Sequence, residues 1–65
     1  MERVYYLAEN TAWTEDSWFQ TSGEKFATKE EAEAFNNWWK SAHNANLITK
    51  FRATRMVEKV KVVSA

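Results

Sequence analysis

Thr28-Lys29-Glu30-Glu31-Ala32-Glu33-Ala34-Phe35-Asn36-Asn37-Trp38-Trp39-Lys40-Ser41-Ala42 decides the fold. Thr28 followed by Glu31 is a capping box, in which the threonine hydroxyl accepts from the backbone N–H at the third helical position. Glu30, Glu31 and Glu33 gather where the helix dipole favours negative charge. Ala32, Phe35, Trp39 and Ala42 recur at three- and four-residue spacing and form one apolar stripe, which Trp38 widens on one side. Lys29, Glu33, Asn36, Asn37 and Lys40 fall outside that stripe and are expected to face water. The polar run 41–46 ends the helix, with Asn44 or Asn46 placed to take a left-handed C-cap.

Working outward, the segments on either side read as strands. Residues 3–8, Arg-Val-Tyr-Tyr-Leu-Ala, are β-branched and aromatic, and Ser17–Ser22 carries Trp18 and Phe19 in a similar pattern. Eight residues join the two, a long connection for a hairpin. Gly23, the chain's only glycine, supplies turn freedom before the helix. After the helix, 47–63 is β-rich and holds neither Gly nor Pro. Seventeen extended residues span about 55 Å, too long for one straight strand in so small a domain. Leu47, Phe51 and Ala53 alternate with Ile48, Lys50 and Arg52, and the phase then reverses at Met56, Val60 and Val62. A β-bulge near Arg55 reconciles the two phases and places Lys50, Arg52, Lys59 and Lys61 on one outward stripe. A turn at Thr54-Arg55 leading to a fourth strand is the competing reading. The expectation is an α+β fold: a three-stranded antiparallel sheet packed on one helix, in the order β-β-α-β, with the last strand long and bulged.

The chain has 65 residues, enough for one domain spanning 1–65. A domain of this size buries only about 60% of the surface its unfolded chain exposes. With no cysteine there is neither a disulfide nor a thiolate for zinc, and the single His43 has no metal-binding companions. Four Trp, four Phe and two Tyr supply the core mass instead. No run approaches the ~18 apolar residues of a membrane span. Residues 1–6 lack the pattern of a signal peptide, so a cytoplasmic location is expected.

No nucleophile beside a base, paired carboxylates or phosphate-binding glycine loop is present, so catalysis is not expected, and no cofactor or metal is implied. A small core also leaves little room for a pocket of about 300 Å³. Binding is the remaining class. The net charge of zero conceals eight acidic and three basic residues through Glu33, then six basic and one acidic from Ala34 onward. Either the halves neutralise each other within the fold or the segregation serves a partner. Trp13 stands in a polar loop and is either a lid on the core or a partner contact. Trp38 borders the stripe and either closes the sheet edge or anchors an interface. Lys59 and Lys61 read as guards against edge pairing, and Lys50 and Arg52 as candidate contacts.

Two motifs carry a resemblance. Thr28-Lys29-Glu30-Glu31-Ala32 with Trp38, followed by Phe51-Arg52-Ala53-Thr54-Arg55-Met56, resembles the small coliphage proteins that inhibit bacterial RNA polymerase. The resemblance covers residues 28–56. It implies a strand-strand-helix-strand fold and a contact with the polymerase through Arg55, since Arg55 matches the first of that family's two arginines and Val57 stands at the second. The expected function is that of a phage-type binding protein, an inhibitor or modulator of a host enzyme such as RNA polymerase in the host cytoplasm. The candidate partner-binding residues are Trp13, Trp38, Lys50, Arg52 and Arg55. The alternatives are a single-stranded nucleic-acid module, using sheet aromatics flanked by cations, an inhibitor of a bacterial defence nuclease, or an assembly role in which the last strand extends a neighbour's sheet.

Overall fold

The computed structural model describes residues 1–12, 17–45 and 49–61. It has strand β1 (Glu2–Ala12), the short strand β2 (Phe19–Gln20), helix α1 (Lys29–Ala42) and strand β3 (Thr49–Lys59). The sheet is antiparallel with order β2-β1-β3, so β1 is central and the last strand closes against the first. This is the expected α+β architecture. No helix is long and apolar enough to cross a membrane.

The helix begins and ends as its sequence dictates. Thr28 is extended at φ −130°, and its Oγ1 accepts from the Glu31 N–H at 3.2 Å. At the other end Asn44 takes φ 51°. The Asn44 N–H donates to the Ser41 carbonyl, and the Ala45 N–H to that of Lys40 at 3.0 Å, the paired bonds of a Schellman motif.

The strand readings need three corrections. β1 is longer than expected, and β2 shrinks to two residues, because 22–25 loop outward before Phe26 returns to bond both backbone groups of Tyr6. The expected bulge near Arg55 is absent: β1 and β3 pair one-to-one from Glu2↔Lys59 to Ala12↔Thr49. Nor is there a turn at Thr54-Arg55, since β3 runs unbroken to Lys59. A straight strand fits because it ends at Lys59 instead of crossing the whole of 47–63. Strict alternation then divides the anticipated basic stripe. Lys50 and Arg52 share one face, and Lys59 lies on the other.

Phe51, with its ring 5.9 Å from that of Trp39, identifies the helix side of the sheet. Tyr6, Ala8 and Asn10 of β1 share that side with Phe51, Ala53, Arg55 and Val57 of β3. Ala8 and Ala32 are fully buried there, and their small side chains let the two layers approach. Aromatic rings frame them, with Phe26 5.7 Å from Phe35 at one end and Trp39 against Phe51 at the other.

The helix itself is rotated slightly from the expected stripe. Ala42 is exposed and Asn36, expected in water, is 3% exposed. Asn36 donates through Nδ2 to the Arg52 carbonyl at 2.9 Å, which lets a polar side chain sit in the layer.

An 11-residue strand is about 36 Å long and a 14-residue helix about 21 Å. The outer half of the β1–β3 ribbon therefore projects beyond the helix. Val4 and Val57, paired across it, remain 41% and 46% exposed.

Candidate functional site

The flank of α1 and the outer edge of β3 form an open groove of about 750 Å³. Lys29, Asn36 and Lys40 line its helix wall, and Lys50, Phe51 and Arg52 its strand wall. The volume exceeds what the composition suggested. The reason is geometric: the helix crosses over Ala8 and leaves the edge strand uncovered on its far side.

Trp18 reaches the groove by lying over Arg52, whose guanidinium carbon is 4.0 Å from the ring centroid. Arg52 Nε also donates to Glu9 Oε1 at 2.9 Å, and the Thr54 hydroxyl donates to the same carboxylate oxygen. Glu9↔Arg52 is a direct cross-strand pair, so sheet register places these opposite charges side by side. Arg52 is thus held in place by one carboxylate and one indole, with part of its head still open to the groove.

Other charges divide into paired and unpaired groups. Lys25 bonds Glu58 at 2.8 Å and stands 4.9 Å from the Tyr5 ring centroid. Arg3 adds a second contact to Glu58 at 3.5 Å. Lys29 and Glu33 form a 3.7 Å pair along the helix. Glu9–Arg52 joins the acidic half of the chain to the basic half. Among the described residues Lys40, Lys50 and Arg55 have no ion pair. The segregated charge is therefore only partly cancelled within the fold: among the described residues unpaired acids remain at Glu2, Glu24, Glu30 and Glu31, and unpaired cations along β3, on the facing helix flank and at Lys61.

The structure brings together two of the five candidate contacts, Lys50 and Arg52. Arg55 lies on the same edge strand, exposed, but on the helix side. Trp38 is 61% exposed, with its ring 5.7 Å from Phe35. Helical residues advance by about 100°, which puts Trp38 on the flank opposite the Lys29–Lys40 row. Trp13 lies outside the described residues.

Sequence reasoning missed Trp18 and Asn36. Asn36 sits four residues after Ala32 and three before Trp39, a spacing that places it in the buried face whatever its polarity. Nothing local signalled Trp18, because its role depends on reaching across β1 to Arg52.

Among the described residues no group of three or more His, Asp or Glu side chains is placed to hold a metal ion. No known protein family, curated protein or solved structure matches the chain.

Proposed function

We propose that this chain is a non-enzymatic binding protein that acts by protein–protein contact, as an inhibitor or modulator of a larger enzyme. One observation carries the reading. The unpaired cation Lys40 on the helix flank, and Lys50 with Arg52 on the open face of the sheet, border one groove along the edge strand β3, and the Trp18 ring lies over Arg52. Aromatic and arginine side chains in a partly desolvated recess are the usual anchors of protein interfaces. The resemblance of residues 28–56 to coliphage RNA polymerase inhibitors supplies the first target to assay, with Arg55 beside the groove as a further contact.

The test is capture of purified bacterial RNA polymerase, with a transcription assay alongside. Lys50→Glu and Arg55→Glu are expected to weaken capture while the thermal melt stays put, because neither side chain has an ionic partner to lose. Equal capture by both variants would count against this surface. Failure of the wild-type chain to bind would remove the polymerase as target.

The half-buried Trp18 ring, stacked on Arg52, and the neighbouring cations also favour a second reading, single-stranded nucleic-acid binding, because bases stack on aromatic rings flanked by cations. Oligonucleotide titration separates the two. Nucleic-acid affinity falls steeply with salt and needs no protein partner.

A further inference from the structure

We propose that the groove takes an extended acidic segment of a partner protein, which adds as a fourth strand along the free edge of β3. This rests on the protein-binding reading above and names its occupant.

Backbone parity defines the free edge. Along an antiparallel strand both polar groups of a residue point the same way, and successive residues alternate. On β1, Tyr6 exchanges bonds of 2.8 and 2.9 Å with Phe26, and the Ala8 carbonyl accepts from Thr21 N–H at 2.7 Å. Even-numbered residues of β1 therefore face β2, and odd-numbered ones face β3. The register matches those odd residues with even ones on β3, as the Val60 N–H to Met1 carbonyl bond at 2.8 Å also requires. Among the described residues, what remains are the backbone groups of Phe51, Ala53, Arg55 and Val57, which point away from the sheet and pair with no strand. Edges are ordinarily blunted by shortness, proline, a bulge or charge, lysine above all, and the cations of β3 guard it against a like-charged or neutral strand while leaving it open to an acidic one. β3 has 11 residues, no proline and an unbulged register.

The charges select the occupant. On the open side of the sheet, a strand beside β3 meets Lys50 and Arg52. On the helix side it meets Phe51 and Ala53 at its base, with Asn36, Asn37, Lys40 and the mutually paired Lys29 and Glu33 on the flank of α1 above them. Acidic and apolar residues in alternation satisfy both faces. A second copy is disfavoured, because β3 holds Lys50, Arg52, Arg55 and Lys59 against the one acid Glu58, so pairing two β3 strands brings like charges together.

Asn36 adds an independent indication. It lines the groove, is 3% exposed, and its Oδ1 has no hydrogen-bond donor among the described residues. A buried acceptor without a donor is costly. A hydroxyl or amide on the helix side of an incoming strand supplies the missing partner.

The probe is a capped heptapeptide alternating glutamate with valine, with threonine at its centre on the valine side. At millimolar peptide the amide protons of Phe51, Ala53 and Arg55 are expected to exchange at least about tenfold more slowly, with little change at even positions already in the ladder. A peptide N-methylated at every second amide on its pairing edge should bind about tenfold or more weakly, and a lysine-for-glutamate peptide should not protect. Absence of protection, equal protection by the lysine peptide, or full binding by the N-methylated peptide overturns the inference. Ala53→Pro separates it from the broader reading, since proline there removes an outward N–H and spares the β1 ladder. If Ala53→Pro melts normally and captures the target as wild type does, strand addition falls and protein binding stands. If the wild-type chain binds neither peptide nor any protein target, both fall.

Discussion

Replacing Arg52 with alanine tests the most specific contact in the groove. The guanidinium is lost from a 2.9 Å bond to Glu9, whose side chain is 13% exposed against 45% for the arginine. Hydrogen bonds to charged groups are worth about 1.5–3 kcal/mol and fully exposed ion pairs about 0–1 kcal/mol. A half-exposed arginine on a largely covered carboxylate falls between them, at about 1–1.5 kcal/mol. The indole contact at 4.0 Å adds about 0.5 kcal/mol, the lower end for cation–π pairs. The total is about 1.5–2 kcal/mol. For a domain of 60–100 residues each kcal/mol moves the melting temperature by about 4–8 °C, so the loss should be about 6–16 °C. Circular dichroism melts of Arg52→Ala, Glu9→Gln and the double variant form a thermodynamic cycle, with an expected coupling of about 1 kcal/mol. Molar salt should shrink that coupling only in part, since Glu9 is mostly covered. A shift within the error of the melt, or strictly additive variants, would refute the account of Arg52 as a residue held by Glu9.

Thr28→Ala removes the N-cap acceptor for Glu31 and should cost about 0.5–2 kcal/mol, read as a lower denaturant midpoint. Trp39→Ala should cost about 3 kcal/mol or more, because Trp39 packs on both Phe51 and His43. Trp38→Ala, which exposes only one side of Phe35, should leave the far-UV spectrum of a folded chain. The Glu58 carboxyl is held below its ordinary range, chiefly by the Lys25 hydrogen bond and further by the charges of Lys25 and Arg3, with desolvation opposing. A depressed pKa means a contribution that is complete above the unfolded carboxylate value, about 4.3, and is lost as pH falls through the folded one. Acid titration of stability should therefore be shallower for Glu58→Gln than for the native chain.

The helix was legible because its signals are local. Thr28 and Asn44 act on backbone groups within a few residues, and the structure places both as read. The sheet was legible in type, but not in register. Residues 47–63 show two apolar phases, and a bulge reconciles them only if every apolar side chain must be buried. Met56 instead stays half-buried beside Tyr5 on the face away from the helix, and Val57 and Val4 are left exposed where the ribbon outruns the helix, so the strand stays straight. Asn36 shows a related limit: its polarity points to water, but its place four residues after Ala32 and three before Trp39 puts it in the buried face. The groove itself could not be seen in the sequence. It is made by the distance between a helix flank and a strand edge, and Trp18 enters it from a segment remote from both.

The pairing of the first strand with the last also sets how the molecule responds to force. The partners from Glu2↔Lys59 to Ala12↔Thr49 are far apart in sequence, and Met1 lies beside Val60 at the same end of the ribbon. Tension applied at these two neighbours loads one rung of the ladder at a time, so the strands unzip in sequence, with no shear shared across the rungs. A handle attached there should open the fold at low force. Refolding after release has to recover a closure between distant parts of the chain before the ladder can grow back, so it should be slow beside that of a helical bundle of equal size.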